Sequence, residues 1–100
     1  MSIQIGSYFF DGPYQDSNAL RDQSGVYAIL DWRSNGSSYI LDVGESNNVR
    51  TRVQYHDRKS CWANNCRGTV AFAAYYTSEL QRMRVEQQLR EQYAPACGIR

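Results

Sequence analysis

The hydrophobic pattern changes period along the chain, and each change marks an element. Ile3 and Ile5 alternate with polar residues ahead of Tyr8-Phe9-Phe10, which predicts a short edge strand or an extended arm laid on the core. Asp11-Gly-Pro-Tyr-Gln-Asp-Ser-Asn is rich in turn formers and reads as a loop, with a short helical turn around Ala19-Leu20-Arg21. From Gly25 to Trp32 the run Val26, Tyr27, Ala28, Ile29 and Leu30 predicts a strand. The Asn35-Gly36 turn then closes a hairpin onto Tyr39-Ile-Leu-Asp-Val43.

After the hairpin the period lengthens. Ser46, Asn47 and Asn48 are N-capping residues, and Val49 and Val53 at i, i+4 give the helix that follows an apolar stripe, with Arg52 and His56 one turn apart on the neighbouring ridge. Asp57 to Gly68 is irregular, with Trp62 as its anchor, and Thr69-Val-Ala-Phe-Ala-Ala-Tyr-Tyr-Thr77 predicts a third strand. Ser78 with Gln81 fits a capping box, which opens a helix over Glu79–Tyr93 that stops before Pro95. On a helical wheel Val85, Leu89 and Tyr93 share one side, with Met83 at its edge and Glu86 inside the stripe. The predicted fold is α+β: a small three-stranded antiparallel sheet flanked by helices, in the order β-β-α-β-α.

At 100 residues the chain predicts one domain, with a core over 24–98 and an N-terminal arm or edge strand over 1–23. No apolar run approaches the roughly 20 residues that span a bilayer, and the N-terminus lacks the basic start and apolar centre of a signal peptide, so a cytoplasmic address and no membrane partner are expected. Three cysteines, Cys61, Cys66 and Cys97, are an odd number in such a chain and read as reduced thiols. Zinc held by them with His56 is the alternative, although Cys-x4-Cys is looser than the usual zinc spacing.

The net charge of +1 conceals a division: residues 1–49 carry two basic and six acidic side chains, residues 50–67 five and one, and residues 68–100 four and three. The basic segment contains Arg50, Arg52, Arg58, Lys59 and Arg67, which could neutralise several phosphates or form a solvated face. Glu86 is the anomaly of the last helix. A carboxylate in an apolar stripe needs a partner, either Arg82 or Arg90 at i−4 and i+4, or a hard metal ion.

Gly25-Val-Tyr27, Asp42-Val-Gly44, Asn48-Val-x-x-Arg52-x-x-x-His56, Glu86 and Pro95 follow one another in the order and approximate spacing of the GIY-YIG nuclease domain, which residues 24–98 resemble. The resemblance implies hydrolysis of nucleic-acid phosphodiesters with one divalent ion, Mg²⁺ or Mn²⁺. By it, Glu86 holds the ion, Arg52 stabilises the phosphate charge, Tyr27 acts as base or positioning group beside the attacking water, and His56 assists proton transfer or binds phosphate. Arg50, Arg58, Lys59 and Arg67 are the expected substrate-binding residues, with DNA favoured over RNA.

Two positions depart from the family pattern. Asp42 stands where the second motif has its tyrosine, and Gly98 where an asparagine is common. Tyr39 is the other candidate for the motif tyrosine, but strand alternation places it on the face opposite Asp42. Asp42 is either a second metal ligand beside Glu86 or a partner that neutralises Arg52. The latter would leave a fold that binds nucleic acid without cutting, or a protein-interaction domain. Trp32 and Trp62 are candidates for base stacking.

Overall fold

Five strands, rather than the three expected, form a single antiparallel sheet in the computed structural model, which describes residues 1–98. They are β1 (Ser2–Ile5), β2 (Tyr8–Tyr14), β3 (Gly25–Trp32), β4 (Ser38–Ser46) and β5 (Thr69–Tyr76), in the order β1-β2-β5-β3-β4. The last two residues of the expected domain lie outside the described residues. The N-terminal arm is a hairpin in which Ile3 faces Phe10 and Ile5 faces Tyr8, and β2 pairs onward with β5. Asp11-Gly-Pro-Tyr14 belongs to β2 rather than to a loop. Gly12 and the cis Gly12–Pro13 bond fall where the register shifts between Asp11 and Tyr14, so these turn formers make an irregularity inside the strand instead of ending it.

The uninterrupted apolar run of β3 follows from its position. It pairs with β4 on one side and β5 on the other, and every residue from Gly25 to Asp31 is buried because both faces of the sheet are covered. On one face Val26, Ala28 and Leu30 join Ile5, Phe10 and Val43 beneath Val85 and Leu89 of the C-terminal helix, Glu79–Tyr93. On the other, Tyr27 and Ile29 join Leu41 beneath Val49 and Val53 of α1 (Val49–Gln54) and Trp62 of α2 (Lys59–Asn65). The C-terminal helix is therefore α3. Helix α2 occupies the segment whose pattern looked irregular, because seven residues with a single buried side chain show no period.

Capping matches the sequence for α3, where Ser78 Oγ accepts from the Gln81 N–H. For α1 it does not. Asn48 sits at the N-cap without a side-chain bond to the helix, and Asp22 from the loop before β3 accepts instead from Thr51 N at 2.9 Å and Thr51 Oγ at 2.8 Å. Met83 and Tyr93 of the expected stripe are exposed, which leaves Val85, Glu86 and Leu89 as the buried residues of α3.

One irregularity in β4 decides which side chains share a face. Ile29 pairs with Asp42 and Leu30 with Ile40, so Leu41 is an extra residue. Tyr39 pairs with Asp31, and Asp31 and Ile29 lie on one face of β3; Tyr39 and Asp42 therefore share a face, contrary to simple alternation. Two residues on, Gly44 pairs with Tyr27, and a Cβ at position 44 would land on the Tyr27 ring and hydroxyl. Glycine is required there by close approach.

Beyond α3, which ends at Ala94 in the left-handed conformation, residues 95–98 cross the open edge of β4. Cys97 N donates to Leu41 O at 2.9 Å, and Cys97 is disulfide-bonded to Cys61 of α2 with Cα atoms 6.0 Å apart. This overturns the expectation of three reduced thiols and removes both residues from any zinc set. The pairing arises because the strap lies against the sheet edge where α2 presents Cys61. Cys66 remains a thiol. Among the described residues no helix is long and apolar enough to cross a membrane.

Candidate active site

The glycine at position 44 leaves room for a phenol, and the phenol meets a histidine. Tyr27 Oη lies 2.6 Å from His56 Nε2, with both side chains buried. The other ring nitrogen, Nδ1, accepts the backbone N–H of Arg58 at 3.0 Å. An acceptor at Nδ1 places the ring proton on Nε2, so the imidazole donates to Tyr27 Oη and leaves the phenolic proton to point elsewhere. Burial lowers His56 to about 4, with the Arg52 and Arg58 charges adding to the effect. Burial raises Tyr27 to about 12, the nearby Asp42 carboxylate adding to it and the two arginines opposing it. At neutral pH the pair is a neutral imidazole and a neutral phenol. Although Asp57 Oδ1 is 3.3 Å from Nδ1, an uncharged ring whose lone pair is already used makes that contact no ion pair.

Above this pair lies Arg52, from the same turn of α1 that leads to His56. Its Nη2 contacts Asp57 Oδ1 at 3.1 Å, and the side chains are 39% and 74% exposed, so this is a solvent-screened surface ion pair that holds Arg52 loosely. An arriving phosphate can displace Asp57 at little cost. The expectation that Asp42 neutralises Arg52 does not hold, because Asp42 has other partners.

Asp42 is fully buried at the centre of a tight array. Arg58 Nε donates to it at 2.8 Å, Trp62 Nε1 at 2.8 Å and Arg90 Nη2 at 2.7 Å, with a longer bond from Arg58 Nη2. Arg90 also bonds the carbonyls of Val43 and of Gly98, and its Nε lies 3.3 Å from Glu86 Oε2. Gly98, at φ 73°, is held where a Cβ would meet Arg90, Asp42 and Arg58. Four donors committed to Asp42 occupy the lone pairs a metal would need, which argues against its expected role as a second ligand.

The sequence-derived candidates therefore separate. Tyr27, His56 and Arg52 come together, with Arg58 tied in through its backbone and side chain. Glu86, 5% exposed, belongs to the helix on the opposite face of the sheet and is linked to the array by Arg90 around the β4 edge. The other basic candidates disperse: Arg50 lies in the first turn of α1, Lys59 opens α2, and Arg67 lies past the end of α2, where its N–H bonds Asp31. Trp62, a candidate for base stacking, is instead buried beside His56 and donates to Asp42. The sequence offers Trp62 as an anchor of the 57–68 segment and Arg90 as a partner of Glu86; that both also converge on Asp42 is a tertiary contact no local pattern carries.

Among the described residues no three of His, Cys, Asp and Glu gather into a ligand group. No protein-family model, curated protein or solved structure matches the chain.

Proposed function

We propose that this protein is a divalent-metal-dependent nuclease of the GIY-YIG type that hydrolyses DNA or RNA phosphodiesters. The observation that carries the proposal is the contact of Tyr27 with His56 over Gly44, with the loosely held Arg52 guanidinium above it. A fixed hydroxyl, a neutral imidazole and an exchangeable cation are what positioning and charge stabilisation in phosphoryl transfer require.

Each residue has a separable part. A phosphodiester takes the place of Asp57 on Arg52, whose fork matches the phosphate oxygens and meets the charge that builds on them. Tyr27 donates its free phenolic proton to orient the attacking water. For Tyr27 to take a proton from that water it would have to pass its own to His56 Nε2, and the Arg58 N–H on Nδ1 holds His56 in the tautomer that cannot receive it. Tyr27 is thus a positioning group in the resting site. Asp42 acts at one remove: by fixing the Arg58 side chain it fixes the N–H that sets the imidazole tautomer.

The ligand set suits Mg²⁺ or Mn²⁺ better than a metal that needs a full protein cage. Such ions are held by one or two carboxylates, with water and substrate oxygens completing the shell, and the family resemblance assigns that carboxylate to Glu86, which Arg90 ties to the array around the β4 edge. A bound ion would supply Lewis-acid stabilisation of the leaving and nonbridging oxygens. Arg90 Nε, 3.3 Å from Glu86, holds that carboxylate in place at the cost of competing with a cation for it.

That competition, with the neutral Tyr27, favours a second reading, a binding module of the same fold without chemistry. Cleavage of a mixed panel of labelled DNA and RNA with Mg²⁺ or Mn²⁺ separates the two. Cleavage by the wild type that is lost in Glu86→Ala and Arg52→Ala, both folded, is the expected result; salt-sensitive binding with no cleavage under either ion would establish the module instead.

A further inference from the structure

The far end of the sheet carries a second basic site. A groove of about 700 Å³ opens there between the end of β3, the turn after it and the start of β5, lined by Gln15, Trp32, Arg33, Arg67, Gly68 and Thr69. Beneath it lies Asp31, buried at 1% exposure, which accepts from Arg33 Nε and Nη2 at 3.2 and 3.0 Å, from the N–H of Arg67 at 3.2 Å, from the N–H of Gly68 at 2.8 Å and from the Cys66 thiol at 3.4 Å. One carboxylate therefore fixes both the Arg33 fork and the 66–68 loop.

Arg33 is held from a second side, its guanidinium lying 4.1 Å from the centre of the Tyr39 ring. Its Nη1 is not used by Asp31. Arg67 is exposed and makes no ion pair among the described residues, so its charge is available to a ligand. Two cations at one groove, one preset and one free, are the combination that binds a phosphate.

We propose that the groove holding Arg33 and Arg67 is a second phosphate-binding subsite, occupied by a nucleic-acid strand that also reaches the Tyr27 site. Trp32 and Arg33 follow Tyr27 by five and six residues along an extended strand, which sets the two sites roughly 17–20 Å apart. The path between them follows α2, with Arg58 and Lys59 at its start and Arg67 just past its end. The groove is defined independently of the nuclease proposal, but the identity of its ligand rests on that reading. Substrate length then becomes a determinant: a strand with one phosphodiester fills one site, and a longer strand fills both.

The test is binding by fluorescence anisotropy in EDTA, where no cleavage occurs, using a labelled dinucleotide and a labelled single strand of about 12 nucleotides at about 50 mM salt. Arg67→Gln removes the charge at an exposed position and keeps the backbone N–H to Asp31. It is expected to weaken the long strand roughly five- to tenfold, to lower its salt slope by about one, and to leave the dinucleotide unchanged. Equal affinity of wild type and Arg67→Gln for the long strand overturns the subsite, as does an absence of binding by wild type. Displacement of the strand by polyglutamate, with the same dependence on Arg67, would overturn it in favour of an acidic protein partner. If Arg67→Gln weakens binding but restored Mg²⁺ gives no cleavage by wild type, the subsite stands and the hydrolytic reading alone falls.

Discussion

His56 shows how a single buried side chain sets both chemistry and stability. Its ring is neutral in the fold because burial and two arginines hold it near 4, against an ordinary value of 6.5. The unfolded chain therefore binds the proton first, and between these values stability rises with pH. The contribution is complete above about pH 6.5 and is lost as pH falls toward 4, at most about 3 kcal/mol. Asp31, which hydrogen bonds led by Arg33 hold at about 2 against the opposing effect of burial, adds a further loss only at lower pH. Thermal melts should thus fall between pH 6.5 and 4.5 for the wild type and be flat over that window for His56→Gln; parallel profiles would refute the neutral buried ring.

At the scale of elements, Asp42 is the joint between β4, α2, α3 and the strap. Arg58, Trp62 and Arg90 all point donors at it, and Arg90 carries the link on to Gly98. Asp42→Asn keeps the shape but turns an N–H toward groups that are themselves donors, leaving buried cations uncompensated. A loss of about 3–5 kcal/mol is expected, read as a lower urea midpoint. Much of this level was visible in the sequence: the β3–β4 hairpin, the stripe of α1, the Ser78 cap and the burial of Glu86 beside Arg90 all follow from period and capping. The rest was hidden for physical reasons. The extra residue at Leu41 moves Tyr39 to the face of Asp42, and no local pattern announces a bulge. β2 passes through Gly12 and Pro13, residues that ordinarily end strands. The cap of α1 comes from Asp22, which is remote in sequence.

For the whole molecule, the β4 edge is closed by a covalent strap whose pairing could not be read from an odd number of cysteines. The Cys61–Cys97 bond closes 36 residues of chain, for which loop-closure entropy predicts about 4 kcal/mol of stabilisation. Reduction should lower the melting temperature and loosen the carbonyls that hold Arg90, and Cys97→Ser should be insensitive to reductant. Equal melting of oxidised and reduced wild type would show that the strap does not constrain the fold. A disulfide is also at odds with the reducing address expected from the sequence. On the same sheet Tyr27 and His56 meet beside Gly44, and the proposed function requires that this site cut phosphodiesters. The most direct measurement is single-turnover cleavage of labelled nucleic acid with Mg²⁺ by wild type and Tyr27→Phe, both confirmed as folded. Removal of this one hydroxyl is expected to lower the rate by roughly 100-fold or more while binding persists. Tyr27→Phe cutting as fast as wild type would contradict the proposed function.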